Sequence, residues 1–238
     1  MLPKGDDPVY AKWSRPLTRC WLFAGVGAAD LNIMLQCLNP VVKEYKKDEC
    51  VTVAGETFSG VGVVLNGTVL VTKEDVAGRR VVLSVLGEGD LFGEMVAFSQ
   101  EKNWPATVIA QQVCTVMFLP PEKIIGSCPH QCASHRLLIH NMLRIVSDKA
   151  LRLNKQVMYL AMKSIREKVA TLLLEEYRRA GTATFMLPLK RHELADFLNV
   201  ARPSLSRELG RMKAEGIIDF HRSTVKILNL EKLKQMVE

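Results

Sequence analysis

Residues Leu194–Met212 read LADFLNVARPSLSRELGRM, two short helical patterns on either side of an Asn. Leu194, Phe197 and Leu198 share one face of the first pattern, and Leu205, Leu209 and Met212 share one face of the second, at the spacing a helix requires. Asn199 stands where a tight helix-to-helix turn needs a positive φ, which Asn tolerates better than any residue except Gly. The pattern is a helix-turn-helix. At roughly 100° per residue, the face opposite the Leu205-Leu209-Met212 stripe carries Pro203, Arg207 and Gly210, flanked by Ser204, Ser206 and Arg211. No acidic residue falls at its centre. Arg207 can reach guanine O6 and N7 with its fork, Ser206 can pair with a base or a phosphate, and Gly210 allows close approach. Pro203 suits a first helical turn, whose N–H groups need no partner within the helix.

The flanks support an anionic partner. After Glu215-Gly216-Ile217-Ile218, the run DFHRSTVKIL gives two short β-prone segments around His221-Arg222-Ser223, a wing hairpin with Arg222 placed for phosphate. Arg191, at the start of the first helix, is a second phosphate candidate, and Arg202 and Ser204 open the second helix. Charge is uneven along the chain. Residues 1–148 hold 14 Lys and Arg against 15 Asp and Glu, whereas residues 149–238 hold 18 against 10, so the whole excess of +7 arises in the C-terminal third. Such a face can also be merely solvated, and a helix-turn-helix can be a plain interaction module; the wing and the basic bias favour double-stranded DNA.

Upstream, Ile139, Leu143, Val146, Ala150, Leu153, Val157 and Leu160 follow at alternating spacings of 4 and 3, a heptad seam narrow enough for a partner helix in a parallel homodimer. A helix packed on its own domain would show a wider apolar face. Ser164-Ile-Arg-Glu167 is a capping box that starts a new helix, which makes Met162–Ser164 a candidate hinge, and Ala180-Gly181 stops that helix. From Val51 to Pro120 the texture is short β-type segments broken by glycines, with Asn66-Gly67 expected as a hairpin turn between two Val/Leu runs. These signals predict an α+β chain: an N-terminal antiparallel β-roll over 1–127, a dimerisation helix and hinge over 128–163, and a winged helix-turn-helix over 164–238.

A length of 238 residues with 48% hydrophobic and 24% charged residues excludes disorder. The start MLPKGDDPVYAKW has neither an apolar signal core nor a cleavage pattern, and no apolar run is long enough for a span, so a cytoplasmic protein without membrane association is expected. Six cysteines in a chain this large suit reduced thiols. Cys128-Pro-His-Gln-Cys132 offers two thiols and His130 but no second pair at zinc spacing, so no metal is assigned. No GxxxxGK[ST], HExxH or ordered Ser, His and Asp set is present, and Asp90 with Glu94 is accounted for by turn geometry, so no catalysis is expected.

This order of parts resembles the Crp-Fnr family of bacterial transcription regulators, from about Leu22 to Leu228. Gly87-Glu-Gly-Asp90 followed by Phe92-Gly93-Glu94 is similar to the family's roll motif, and Arg202-Pro-Ser-Leu-Ser-Arg207 to its recognition helix. The resemblance implies a roll that senses a small effector, dimerisation through the long helix, an inverted-repeat operator, and action on RNA polymerase. It places the effector against Gly93, Glu94 and Met95, across from Trp104, Ala106 and Thr107, with the long helix closing the site near Leu143–Ser147, Ser147 included. Where the cyclic-nucleotide members carry a phosphate-binding Arg, this chain carries Trp104. Burying a phosphate without a counter-charge costs several kcal/mol, which argues against cyclic AMP. Trp104 can stack on a planar ligand or simply pack the roll. Cys20, Cys37 and Cys50 are too scattered for the family's iron–sulfur cluster, and all five histidines, at 130, 135, 140, 192 and 221, follow the roll, so neither cluster nor haem is expected. Pro203 replaces a base-reading Glu of many members and cannot accept from cytosine. Two other readings stay open: a ligand-binding regulatory subunit of an enzyme, and a constitutive DNA-binding dimer with a ligand-free roll.

Overall fold

The computed structural model describes residues 11–74, 79–126 and 133–237. The chain divides into two compact units, Met1–Asp148 and Lys149–Glu238, and the division falls inside one long helix.

The first unit opens with two helices, α1 (Ser14–Arg19) and α2 (Ala28–Leu38), which the β-type pattern downstream does not announce. Strands β1 (Val41–Tyr45), β2 (Cys50–Thr52), β3 (Val61–Asn66), β4 (Val69–Glu74), β5 (Arg80–Leu86) and β6 (Leu91–Phe92) lead to α3 (Glu94–Ala97). Strands β7 (Thr107–Ala110) and β8 (Cys114–Leu119) then precede α4 (Pro121–Ile125) and α5 (Ala133–Ala161). The strands form two four-stranded antiparallel sheets, β1-β8-β3-β6 and β2-β7-β4-β5, which is the antiparallel roll the sequence predicts.

One expectation is corrected. Asn66-Gly67 does not close a hairpin, because β3 pairs with β6 and β8 while β4 pairs with β5 and β7. The turn is instead a corner between sheets. Gly67 still has the positive φ of 85° that the Asn-Gly pair signals, and a Cβ there would lie 2.6 Å from the Val113 carbonyl oxygen. The packing explains the change of sheet. Val64 faces a core shared by both sheets, while Val61, Val63 and Leu65 face a second core built with α1, α2 and the start of α5. A strand covered on both faces reads as a continuous apolar run, and the run alone does not say which strand it pairs with.

Between the sheets sits an aromatic cluster. Trp104 is 5% exposed, with ring centroids 4.5 Å from Phe58 and 5.9 Å from Phe92, and Phe92 meets Phe118 edge-on at 6.1 Å. Of the two roles open to Trp104, the structure shows packing of the roll.

The second unit contains the last turns of α5, α6 (Ile165–Ala180), β9 (Thr184–Met186), α7 (Arg191–Phe197), α8 (Arg202–Ala214), β10 (Ile218–His221), β11 (Thr224–Ile227) and α9 (Leu230–Lys234). The wing hairpin β10–β11 is present, and β9 extends it to a three-stranded sheet. Tyr159 anchors the end of α5 in this unit: it is fully buried, packs on Phe197 at 5.3 Å and donates its hydroxyl to Glu175 at 2.9 Å. The helix break at 162–164 is as expected. Ser164 Oγ accepts from the Glu167 N–H at 2.9 Å, but the Glu167 carboxylate reaches the Lys163 N–H, one residue earlier than a standard capping box.

Helix α5 is a single 29-residue element of about 43 Å. Ile139 and Val146 are half-buried, whereas Leu143, Ala150, Leu153, Val157 and Leu160 are exposed. Leu151 and Met158 are also exposed, so the open apolar face is broader than the seam. No helix among the described residues is long and apolar enough to cross a membrane. Cys128, His130 and Cys132 lie outside the described residues. Burial pushes the Cys20 thiol up to about 12 and raises that of Cys114, leaving neither as a nucleophile.

The aromatic cluster sets a stability test. Trp104→Ala removes the ring on which Phe58 and Phe92 pack, and should cost about 3–5 kcal/mol in urea unfolding monitored by circular dichroism. A loss well below 1 kcal/mol would mean that the cluster does not hold the two sheets together.

Candidate nucleic-acid interface

Helices α7 and α8 meet at the turn Leu198–Ala201, where Asn199 takes the left-handed conformation with φ 50°. Their inner faces are as the sequence predicts, with Leu194, Phe197, Leu198, Leu205, Leu209 and Met212 all buried in one core. Burial of that stripe turns the opposite face of α8 outward. Arg202, Pro203, Ser206, Arg207, Gly210 and Arg211 are exposed, and Ser204 is half-exposed. Arg207 Nη2 donates to Ser204 Oγ at 3.2 Å, one turn back, which orients the guanidinium along the open face. A Cβ at Gly210 would meet nothing within 4 Å, so the helix presents bare backbone there.

Beside this face lies a concavity of about 450 Å³ lined by Lys190, Arg191, Arg202, Ser206, Phe220, Arg222 and Ser223. The fold thus brings Arg191, Arg202, Ser206 and Arg222 together, while Ser204 and Arg207 share the helix but not the concavity. Arg222 sits at the tip of the wing with φ 53°. Arg191 lies with its guanidinium carbon 5.2 Å from the Phe220 ring centroid and donates from Nη2 to the Arg222 carbonyl at 3.4 Å. Its Nη1 is buried without a hydrogen-bond partner. Burial, and then the charge of Arg202, hold Arg191 below the usual arginine range. No carboxylate lines the concavity among the described residues. Convergent cations without a counter-charge form a site that an oxyanion completes.

In the roll, Gly93 has φ 82°, and a Cβ there would lie 2.9 Å from the Trp104 ring and 3.0 Å from Phe58. The space between the glycine turn and the downstream segment is therefore filled by the protein's own aromatics. Glu94, 3% exposed, and Met95 line a different cavity together with Leu143 and Val146 of α5. Trp104, Ala106, Thr107 and Ser147 are not brought to it. Thr107 instead accepts from the Ala54 N–H through its hydroxyl, and Ser147 is exposed.

Comparison with known proteins agrees with this geometry. A model described as a Crp-like helix-turn-helix domain matches residues 167–236, and one described as a cyclic nucleotide-binding domain matches residues 42–128. A probable transcriptional regulator flp of Lacticaseibacillus casei is 28% identical over 77% of this chain and 82% of its own. The cyclic AMP receptor protein of Thermus thermophilus is 23% identical over 90% of this chain and 95% of its own. The crystal structure of the Thermus thermophilus catabolite activator protein shares the fold, with TM-score 0.53 and 22% identity over 91% of this chain and 98% of that one. The chain belongs to the Crp-Fnr family. It is a DNA-binding transcription regulator and not an enzyme.

The sequence reading of this Crp-Fnr protein passed over several residues that the structure makes important. Arg166, in the first turn of α6, donates from Nε to Glu208 at 2.6 Å and grips Glu215 with both terminal nitrogens at 3.0 and 2.6 Å. Glu208 is buried on the inner side of α8, directly after Arg207, and Arg211 also pairs with it at 3.4 Å. Lys168, buried, donates to the Leu198 carbonyl at 3.1 Å and so satisfies the end of α7. Lys190, Phe220 and Ser223 complete the concavity. An Arg in a first turn and a Glu within a polar face look like surface residues in a local pattern; only their pairing across helices gives them a role.

This clamp predicts a pH signature. Hydrogen bonds from Arg166, above all, hold the Glu215 carboxyl below its ordinary value of 4.5. A depressed carboxyl contributes stability that is complete above its unfolded value and is lost as the pH falls through the folded one. Arg166→Ala should cost about 1–3 kcal/mol at neutral pH by leaving Glu208 buried with less compensation. The gap from wild type, read from urea midpoints, should shrink towards about pH 3 as Glu215 takes up its proton. An equal gap at both pH values would rule out the clamp as its source.

Proposed function

We propose that this Crp-Fnr protein acts in the cytoplasm as a homodimer that binds an inverted-repeat operator, acts on RNA polymerase and answers to a small effector other than cyclic AMP. The observation that carries the DNA reading is the concavity where Lys190, Arg191, Arg202 and Arg222 converge without a carboxylate beside the open face of α8. Phosphate is the ligand that satisfies such a cluster, and α8 is then aimed into the major groove. Arg207 reads a guanine, with Ser204, Ser206 and Arg202 assisting in the first turns of the helix; Arg191 and Arg222 hold phosphates. Residues 1–127 serve as the sensing region, 128–163 as the dimerisation helix and hinge, and 164–238 as the DNA-binding domain.

The exposed seam Leu143, Ala150, Leu153, Val157 and Leu160 supports dimerisation through α5, since a row of uncovered aliphatic side chains on a long helix is stabilised by a twofold mate. The mate sets recognition helices about 34 Å apart, one turn of duplex. Replacing Val146 and Leu153 together by Asp should give monomers in sedimentation that no longer retain operator DNA. An unaltered dimer would move the interface elsewhere.

The absence of a phosphate-binding Arg at position 104 argues against a cyclic nucleotide, and the filled space beside Gly93 favours a second reading for that part of the roll, in which it holds no ligand. The effector contacts that the cavity supports are Glu94 and Met95.

Base reading and phosphate holding separate experimentally. With an operator selected from random duplexes and a panel of its single-base variants, Arg207→Ala should lose about 1–3 kcal/mol and relax preference at one base position. Arg222→Ala should weaken every sequence alike and lower the salt slope by about one unit. Even loss across the panel for Arg207→Ala would assign that residue to positioning.

A further inference from the structure

Phe220, in the wing strand β10, has two cations over its ring. The Arg191 guanidinium carbon, from the first residue of α7, is 5.2 Å from the ring centroid, and Lys213 Nζ, from the last turn of α8, is 5.4 Å from it. We propose that Phe220 is a positioning residue for DNA binding: its ring holds the Arg191 guanidinium at the phosphate site without neutralising it. The inference rests on the DNA reading above and assigns the residue that keeps the phosphate grip ready.

Arg191 has few other holds. Its Nη2 donates to the Arg222 carbonyl at a long 3.4 Å, and its Nη1 has no hydrogen-bond partner. Burial and the charge of Arg202 both disfavour the cation where it lies. A guanidinium in these surroundings swings into water unless an attraction keeps it. A carboxylate is the ordinary orienting partner of an arginine, but it would cancel the charge a phosphate requires. Asp219, next to Phe220 in β10, is engaged elsewhere: it takes Lys213 at 2.6 Å, and that bond, above all, holds its carboxyl below the ordinary 3.8. An aromatic ring attracts a cation through its quadrupole and leaves the formal charge intact. The ring is itself fixed, because Phe220 pairs with Val225 across the wing and packs, half-buried, on the core of the unit. The start of α7, the end of α8 and the wing therefore meet at one side chain. An aliphatic residue would fill the same space without the attraction. A guanidinium already held in the fork's working place loses less rotamer freedom when a phosphate arrives.

Phe220→Leu, which keeps an apolar side chain and removes the ring, tests the proposal on the full chain with the selected operator and its single-base variants. Affinity should fall by about three- to thirtyfold at every sequence alike. The salt slope should fall by about one unit, as it should for Arg191→Ala. Phe220→Tyr, which keeps the ring, should restore both, and in an Arg191→Ala background Phe220→Leu should have little further effect. If Phe220→Leu does not fold, Phe220→Met carries the same expectations. An unchanged salt slope, losses that simply add in the double variant, or a Phe220→Tyr protein as weak as Phe220→Leu would overturn the proposal, since a purely structural role predicts each of these. One readout needs no DNA. In isotopically labelled protein the Arg191 Nε–H resonance, identified by its disappearance in Arg191→Ala, should carry a ring-current shift that is lost in Phe220→Leu and kept in Phe220→Tyr. A shift that survives loss of the ring would overturn the proposal as well. Because this resonance reports the contact whether or not a duplex binds, failure of the DNA reading and failure of the positioning role are seen separately.

Discussion

The working surface of the C-terminal unit depends on a charge buried beneath it. Glu208 lies on the inner side of α8, 8% exposed, one residue after the proposed base reader, and Arg166 reaches it from α6 while also gripping Glu215 at the end of the same helix. A buried carboxylate without a partner is strongly destabilising, so α8 is held at the rotation that keeps Glu208 over Arg166. The apolar stripe Leu205, Leu209 and Met212 permits a range of rotations about the helix axis, because hydrocarbon contacts are non-directional. The ion pair is directional and narrows that range. With α8 fixed, Arg207 and Gly210 face outward and Arg202 meets Arg191.

Opposite charge logic operates on the outer side. Elsewhere in the unit, cations and carboxylates are matched: Arg166 with Glu208 and Glu215, Lys155 with Glu175, Lys213 with Asp219. At the concavity Lys190, Arg191, Arg202 and Arg222 are gathered with no acid in the lining, and Arg191 bears the cost as a depressed affinity for its proton. Packing alone would not assemble such a set, since each like-charge neighbour destabilises the others. The arrangement makes sense as half of a salt bridge whose other half is a phosphodiester, and its energy is recovered when condensed counterions leave the nucleic acid. A surface that is electrostatically uncomfortable when empty discriminates in favour of polyanions without any base contact.

Local signals in the sequence proved reliable and non-local ones did not. The helix-turn-helix, the Ser164 cap, the Gly181 stop and the wing each rest on residues within a turn or two of one another, where backbone preference decides. Gly67 took the positive φ that the Asn-Gly pair signals while Asn66 stayed in the strand, and the partner of β3 is β8, some fifty residues downstream, a choice no turn signal encodes. Strand β9 was missed because three residues do not establish a period. Arg166 and Glu208 are 42 residues apart and meet only once α6 and α8 have packed. At Trp104 the residue type allowed both stacking and packing, and the decision came from Phe58 and Phe92, whose proximity is a property of the closed roll. Chemistry-bearing residues were therefore legible where they sat on a local element and hidden where they depended on a pairing between elements.

Leu143 and Val146 connect the two halves of the regulatory argument. Both face the cavity beside α3, and both belong to the heptad seam through which α5 is proposed to meet its mate. A side chain packed against a ligand cannot keep the same rotamer freedom towards a partner helix, because closely packed groups respond to changes of a single methylene. In the proposed dimer, an occupant of that cavity and the mate would share a coupling free energy, and such coupling is reciprocal: whatever factor a ligand contributes to self-association, self-association must contribute to ligand affinity. The size of the response is bounded by the ligand's preference for one state over the other, not by how tightly it binds. In the proposed dimer, an occupant of the cavity beside Leu143 would act on a side chain that also faces the mate, and such a preference would follow from that shared contact.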